Sequence, residues 1–223
     1  MIKKIYYWLH MKILKKPEER DEPSGGWLHS KIRKEVINLC KNVKGRLIEV
    51  GCGEGLFITK LAVSNSRLEI YGLDNNIDKI LAAQRRCQEK KLKNIKLIYS
   101  DGVDFPSRNE SFDMIVCINT FVNINSIDTV IQVLTQMTRV CKKGGRIIFD
   151  LRNSLNPLIK LKYKLAPYYD ATIREEKLPL NTYNPKCIEE ILGKLNLKII
   201  NKIFIGFPKN ILAPIVIIEA ERC

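Results

Sequence analysis

The densest group of residues that could support chemistry is the segment LIEVGCGEG, Leu47–Gly55. An apolar run ends at Val50, and Gly51, Gly53 and Gly55 then form a GxGxG pattern before a helical stretch. Glycine permits tight backbone conformations and lets a ligand approach the main chain closely. The first N–H groups of a following helix are also available to a ligand. The pattern indicates a ligand-binding loop, and a simple tight turn is the alternative.

Two acidic residues follow later apolar runs. Asp74 ends the sequence YGLD, and Asp101 follows Ser100. A carboxylate beside the glycine turn could accept hydrogen bonds from both hydroxyls of a ribose, and one at the next strand end could accept from an adenine amine. Either acid alone is equally explained as a helix cap or a solvated loop residue. Their order along the chain, with Glu49 inside the first run, favours a nucleoside site.

These residues must be positioned by an alternation of strands and helices. The alternation predicts a parallel sheet covered on both faces, and such sheets bind ligands beyond the carboxyl ends of their strands. We predict strands at Arg46–Val50, Leu68–Leu73, Ile95–Ser100, Phe112–Ile118 and Arg146–Asp150, with helices at Trp27–Asn42, Gly55–Val63, Ile77–Lys91 and Ser126–Cys141.

The end of the chain follows a different pattern. A helix at Pro185–Leu195 precedes two apolar runs, Leu197–Ile205 and Ile215–Ala220, whose short connection cannot hold a crossover helix. We therefore predict an α/β fold, a Rossmann-like doubly wound sheet of seven strands, mostly parallel with an antiparallel C-terminal hairpin strand. Residues 30–223 would form this domain, with an irregular substrate-site insert at 152–183. Residues 1–29 would form a basic amphipathic extension or lid.

The segment Leu47–Asp150 resembles class I S-adenosylmethionine-dependent methyltransferases, in particular those that act on small molecules and quinones. LIEVGCGEG resembles their first motif, YGLDNN their ribose site and SDGVDFPSRNESFD their adenine loop. FDMIVCIN and CKKGGRIIFD resemble their fourth and fifth strands. The antiparallel final pair is also a feature of that fold, so the resemblance extends over most of residues 30–223.

The resemblance implies S-adenosyl-L-methionine as the cofactor and S-adenosyl-L-homocysteine as the product. The glycine loop would pass beneath the methionine part, oriented by Glu49, and Asp74 would hold the ribose. Asn119 would lie near the methyl group. The implied cofactor contacts are Glu49, Gly51, Cys52, Gly53, Gly55, Asp74, Asn75, Asp101, Gly102 and Asn119.

The general base is not identified by the sequence. Related enzymes often carry a histidine after the fourth strand where this chain has Asn123, and its histidines, His10 and His29, lie in the N-terminal extension. We therefore assign no catalytic residue, because an aligned nucleophile and a good leaving group can suffice. A nicotinamide cofactor fits less well, since the third glycine of GxGxxG would fall at Leu56.

The acceptor site should be built from the extension and the insert. Tyrosine and tryptophan suit an aromatic or amphipathic acceptor, so we expect a small-molecule or lipid-like acceptor; packing of the extension onto the domain is the alternative role for these aromatics. Methylation of RNA or protein, and cofactor binding without catalysis, are the competing functions. The substrate candidates are Trp27, His29, Arg152, Tyr168 and Tyr169.

Composition limits the partners and the location. The net charge of +14 could attract nucleic acid or an anionic membrane, or reflect generic surface lysine. Seven cysteines without a CxxC pattern argue against a metal site and favour a reducing cytoplasm. No apolar run is long enough to span a bilayer. Met1–Lys16 predicts a basic amphipathic helix that serves as a lid or as a peripheral contact with the inner face of a membrane.

Overall fold

The computed structural model describes residues 27–169, 173–174 and 177–223. Its centre is a seven-stranded sheet in the order β3-β2-β1-β4-β5-β7-β6, in which β7 runs antiparallel to both of its neighbours and the other pairs are parallel. The predicted fold class is confirmed. The strands are β1 Arg46–Val50, β2 Glu69–Asp74, β3 Ile95–Tyr99, β4 Phe112–Cys117, β5 Cys141–Arg152, β6 Leu197–Ile205 and β7 Ile215–Arg222.

Helices cover both faces of the sheet, because the strands in its centre are apolar on both sides. One buried cluster packs α1, α2 and α3 against the sheet, and the other packs α4 and α6 against the opposite face. The helices are α1 Trp27–Cys40, α2 Leu56–Ser64, α3 Ile77–Glu89, α4 Ile127–Val140, α5 Pro157–Tyr169 and α6 Pro185–Lys194, with a 3₁₀ turn at Phe121–Asn123.

Side-chain caps fix where several helices begin. The Asn76 side chain accepts from two backbone N–H groups at the start of α3, and Ser126 accepts from the N–H of Thr129 at the start of α4. Asn184 caps α6, whose first residue is Pro185. These residues satisfy donors that a helix N-terminus leaves unpaired. They therefore also fix where each preceding loop must turn.

The insert differs from the irregular segment that we predicted. Residues Pro157–Tyr169 form helix α5. Oδ1 of Asn156 accepts from the N–H of Ile159 at 2.8 Å, so an asparagine cap followed by a proline begins the helix. Pro167 lies inside α5, although proline disfavours a helix interior. Strand β5 is also longer than predicted at both ends. It begins at Cys141, which pairs with Phe112 of β4 instead of ending the preceding helix, and Leu151 and Arg152 continue to pair with β7.

The proposed domain boundary at residue 29 falls within α1, which is continuous from Trp27 to Cys40. The predictions for residues 1–26, and for the side chains of Trp27 and Tyr169, lie outside what the structure describes. Over the described part of the chain, no helix has both the length and the apolar character needed to cross a membrane.

Candidate cofactor-binding site

A cavity of about 370 Å³ lies at the carboxyl ends of the central strands. The strand order reverses here, since β2 and β3 lie on one side of β1 and β4 lies on the other. Doubly wound sheets bind ligands at such a switch point. Most of the predicted cofactor residues line this cavity, namely Glu49, Gly51, Cys52, Gly53, Asp74, Asn75, Asp101, Gly102 and Asn119.

The glycine loop after β1 forms the floor of the cavity. The backbone N–H groups of Gly51 and Cys52 both donate to the carbonyl oxygen of Leu73, at 2.7 and 2.9 Å. Gly53 has a φ of +52°, and a Cβ at this residue would have no atom within 4 Å apart from those of Gly53 itself and its neighbours in sequence. The space above Gly53 is therefore open to a ligand that approaches the backbone itself.

Gly55 has a different position from the other two glycines of the motif. It caps α2 with a φ of +76°, and a Cβ there would come 3.1 Å from Cβ of Ala83 on α3. Gly55 is not among the residues that line the cavity. Its place in the structure is explained by the turn and by the close packing of α2 against α3.

Asp74 ends β2, and its two carboxylate oxygens hold the glycine loop and the turn that begins α3. Oδ2 accepts from the N–H of Gly53 at 2.8 Å, and Oδ1 accepts from the N–H of Asn76 at 2.9 Å. The side chain is buried and yet faces the cavity. Each carboxylate oxygen can accept more than one hydrogen bond, so Asp74 can fix the loop and also accept from the hydroxyls of a ligand.

Asp101 and Asn75 come from neighbouring strand ends and contact each other. Nδ2 of Asn75 donates to Oδ2 of Asp101 at 3.4 Å, and Oδ1 of Asp101 accepts from the N–H of Val103 at 3.1 Å. The Asp101 side chain is exposed at the rim of the cavity. Next to it, a Cβ on Gly102 would come 3.2 Å from Val50. The absence of a side chain at Gly102 keeps this part of the wall open.

Glu49 contributes a buried carboxylate to the wall, and its Oε2 has no hydrogen-bond partner among the described residues. Burial raises the pKa of the Glu49 carboxyl well above its usual range, whereas the Arg33 guanidinium lowers it and Asp74 raises it further. Buried polar atoms in proteins are normally paired. An unpaired carboxylate oxygen on a cavity wall therefore suits a ligand that brings a cation or a hydrogen-bond donor.

Asn119, two residues after the end of β4, is held from two sides in a left-handed conformation with a φ of +59°. Its N–H donates to Oδ1 of Asp150, and its Oδ1 accepts from Nη2 of Arg152 at 3.0 Å. Arg152 forms a buried ion pair with Asp150, and its Nε donates to the hydroxyl of Tyr163 at 2.8 Å. These bonds leave Nδ2 of Asn119 as the group that can donate to a ligand.

The loop that follows Asn119 is fixed by residues at the far end of the insert. The Tyr183 hydroxyl donates to the carbonyl oxygen of Phe121 at 2.9 Å, and the N–H of Asn181 donates to that of Val122 at 2.7 Å. Burial raises the pKa of the Tyr183 hydroxyl to about 12, so it remains a donor at neutral pH. The insert thus supports the cavity from behind.

The cavity also contains residues that sequence analysis did not assign to it. Arg33 lies on the buried face of α1 beside Ile32 and Val36. A basic residue among apolar residues at helical spacing could have been recognised in the sequence as facing the interior. Thr120 packs so closely on Gly51 that a Cβ on residue 51 would overlap the Thr120 side chain. No local sequence pattern indicates this contact. The further members of the wall are Val50, Glu54, Leu56, Phe57, Leu73, Lys79, Ile118, Asn123, Ile124, Asn125, Thr129 and Val133.

The predicted substrate residues do not form one site. Arg152 is buried behind Asn119, and Tyr168 is 70% exposed on α5. His29 is half-buried on α1. None of these three is among the residues that line the cavity. In the described part of the chain, no cluster of three or more His, Cys, Asp or Glu side chains is arranged to hold a metal ion.

The family is established by sequence. A family model described as "Methyltransferase domain" matches residues 41–202. The chain belongs to this methyltransferase-domain family, which confirms its resemblance to the class I S-adenosylmethionine-dependent enzymes.

The individual relatives are distant. A demethylmenaquinone methyltransferase of Geobacillus sp. (strain WCH70) is 26% identical over 122 residues, or 54% of this chain and 51% of the relative. A phosphatidylethanolamine N-methyltransferase of Cereibacter sphaeroides is 27% identical over 161 residues, or 71% of this chain and 72% of the relative. The matched region spans about half the length of the demethylmenaquinone methyltransferases.

The fold is shared with a solved methyltransferase. Magnesium protoporphyrin IX methyltransferase from Synechocystis PCC 6803, solved with bound S-adenosylhomocysteine, superimposes with a TM-score of 0.68 at 17% identity. The match covers 87% of this chain and 84% of that structure. At this identity the likeness concerns the fold.

Proposed function

We propose that this chain transfers the methyl group of S-adenosylmethionine to a small-molecule or lipid-like acceptor. The observation that carries the proposal is the chemistry of the cavity wall. Its carboxyl groups are Glu49, Glu54, Asp74 and Asp101, against the two cationic side chains Arg33 and Lys79. An excess of acidic over basic side chains suits a ligand with sulfonium and ammonium groups and disfavours the pyrophosphate of a dinucleotide.

The residues present fit the parts of this cofactor. Asp74 would accept hydrogen bonds from the ribose hydroxyls, and Asp101 with Asn75 would bind the adenine edge. The open backbone at Gly53 would lie under the methionine part. The unpaired oxygen of Glu49 would meet a cationic group. Hydrogen bonds within the protein already position Asp74, Asn75 and Asp101, so little ordering of these side chains is needed on binding.

When bound, the cofactor would supply an electrophilic methyl group attached to a sulfonium sulfur. After transfer of the methyl group, the remainder of the cofactor would leave as a neutral thioether. The protein must then hold the acceptor in line and exclude water. The described cavity wall contains no histidine. Burial raises the pKa of the Cys52 thiol well above its usual range, so this side chain stays protonated at neutral pH and is not a nucleophile. Alignment of the acceptor near Asn119 is therefore the main contribution that we assign to the chain.

Two observations support the choice of acceptor class. The relatives with curated names act on demethylmenaquinone and phosphatidylethanolamine, a quinone and a phospholipid. The cavity wall next to Asn119 includes the apolar side chains of Ile118 and Ile124, which suit an acceptor with apolar surface.

The test uses the full chain and S-adenosylmethionine labelled in its methyl group. The label is offered with a panel of acceptors: a demethylated quinol, phosphatidylethanolamine vesicles, a mixed short RNA and a denatured protein. We expect label in the organic extract of the quinol or lipid reaction, and loss of this transfer in Gly53→Ala but not in Gly144→Ala. Transfer to RNA or protein alone would overturn the acceptor class, and absence of S-adenosylhomocysteine binding by calorimetry would overturn the activity.

A further inference from the structure

Helix α5 carries large apolar side chains on the side that faces away from the domain. Leu158 is 68% exposed, Leu161 53% and Tyr168 70%, and Leu165 is exposed as well. Their spacing of three, four and three residues places them on one face of the helix. Ile159, on the opposite face, is buried. The outward stripe is therefore additional to the packing of α5 on the domain.

The loop between β6 and β7 extends this apolar surface. Phe207 is 87% exposed, and Ile211 is also exposed. Phe207 and Leu158 both line an apolar cavity of about 710 Å³, so the loop and the start of α5 lie side by side. We call the outward stripe of α5 together with this loop the α5 face. Contiguous exposed apolar surface of this kind marks an interaction site.

The charge of the α5 face has one sign. Lys160, Lys162 and Lys164 alternate with the apolar residues of α5, and Lys209 lies in the adjoining loop. On a helical projection Lys162 falls on one side of the outward stripe, and Lys160 and Lys164 fall on the other. The sequence has no aspartate or glutamate from residue 151 to 169 or from 199 to 218.

We propose that the α5 face docks on an anionic lipid bilayer. An apolar stripe bordered by lysines, with a tyrosine at its end, is suited to lie in the plane of a membrane interface, where the apolar side chains enter the acyl boundary and the lysines meet lipid phosphates. A second copy of the chain fits this face poorly, because a two-fold contact would set lysines against lysines. This inference does not depend on methyl transfer.

Helix α5 is connected to the cavity wall through two side chains, Tyr163 and Arg152. The hydroxyl of Tyr163 on α5 accepts from Arg152, which in turn donates to Asn119 on the cavity wall. Helix α5 is therefore linked to a residue of the cavity wall through its inward side, opposite the outward stripe.

The test is co-sedimentation of the full chain, without S-adenosylmethionine, with phosphatidylcholine vesicles that contain or lack phosphatidylglycerol. The face variant is Leu161→Glu with Leu165→Glu. The matched control is Val63→Glu with Leu81→Glu, two exposed apolar residues on α2 and α3. We expect the face variant to weaken binding to anionic vesicles by about tenfold or more and the control to bind as the unchanged chain does.

Charge is tested in the same assay. Lys160→Glu with Lys164→Glu should weaken binding to phosphatidylglycerol vesicles, and the exposed pair Lys90→Glu with Lys93→Glu should weaken it much less. Added salt should lower the binding of the unchanged chain. Circular dichroism and thermal unfolding confirm that each variant is folded, as expected for exposed positions.

Three outcomes would overturn the proposal. The first is equal vesicle binding by the face and control variants. The second is loss of binding only when Ile5→Glu and Leu9→Glu are introduced into the full chain, which would assign the contact to residues 1–16. The third is a dimer that the face variant dissociates while vesicle binding persists. None of these results would affect the methyl-transfer assay, so the two proposals fail separately.

Discussion

Nη2 of Arg152 donates a 3.0 Å hydrogen bond to Oδ1 of Asn119, a residue 33 positions earlier in the chain. Because a guanidinium can only donate, this bond fixes which end of the Asn119 amide faces Arg152. The amide nitrogen is then left for a ligand. Asn119 also has a φ of +59°, a conformation that a non-glycine residue keeps only when its surroundings hold it there.

We predict that Arg152→Met destabilises the protein by about 3–5 kcal/mol, because it leaves the buried Asp150 carboxylate without its cation. Arg46→Met is the control, since Arg46 pairs with Glu69 at 3.0 Å on the surface and such pairs contribute about 1 kcal/mol or less. The measurement is urea unfolding followed by circular dichroism. Equal midpoints for the two variants would show that the Asp150–Arg152 pair is not a structural support of the site.

We predict that Gly53→Ala greatly weakens binding of S-adenosylhomocysteine, because the new Cβ would occupy the space through which the ligand meets the backbone. Gly144→Ala is a close control: Gly144 has a φ of +68° and, like Gly53, an open Cβ position, but it lies in β5 outside the cavity wall. Both variants should lose about 1 kcal/mol of stability from backbone strain. Calorimetric titration distinguishes them, and equal affinities would rule out the glycine loop as the cradle.

Asp74→Ala should weaken S-adenosylhomocysteine binding by about 1–3 kcal/mol, because hydrogen-bond donors of the ligand and of the loop would lose their acceptor. Asp74→Asn should lose less, since it keeps one oxygen that can accept from Gly53 or Asn76. Asp78→Ala, an exposed change in the first turn of α3, is the control. The prediction is wrong if Asp74→Ala binds as tightly as the control by calorimetry.

The raised pKa of Glu49 predicts a dependence of stability on pH. The folded, ligand-free protein holds this proton more tightly than the unfolded chain, whose glutamate pKa is about 4.3. The contribution of Glu49 to the free energy of unfolding is therefore fully present below that unfolded-state pKa. It is lost as pH rises towards the raised pKa of the folded state. Glu49→Gln should remove this fall and stabilise the ligand-free protein at neutral pH by about 1 kcal/mol.

The same variant should bind S-adenosylmethionine more weakly, because it cannot supply a negative charge to a cationic group of the ligand. In the unchanged chain, affinity should rise as pH increases through the Glu49 pKa, and in Glu49→Gln this rise should be absent. Thermal unfolding and calorimetry across pH measure the two effects. A variant that is less stable than the unchanged chain at neutral pH, with unaltered affinity, would contradict this account.

The central strands and the glycine loop could be predicted from the sequence because their signals are local. An apolar run that ends in Gly51, Gly53 and Gly55 defines a strand, a turn and a helix start without reference to the rest of the chain. Asp74 follows its own strand in the same way, and the parallel order then brings it to the loop, where it bonds Gly53. Periodicity and strand order thus determined the fold class and the predicted carboxylates.

The residues that support Asn119 and the loop after β4 could be identified only from the tertiary structure. Arg152 was predicted to meet a substrate, but the pairing of β5 with β7 continues to this residue and buries it, so its guanidinium orients Asn119 instead. Tyr183 supports the loop after β4 from 62 residues away. No sequence pattern encodes such bonds, because they depend on which backbone groups the folded sheet brings together. The sequence by itself determined that a glycine loop and acidic residues follow the central strands. Only the packed structure decided which side chains face the cavity and which support it, because those contacts join residues far apart in the chain.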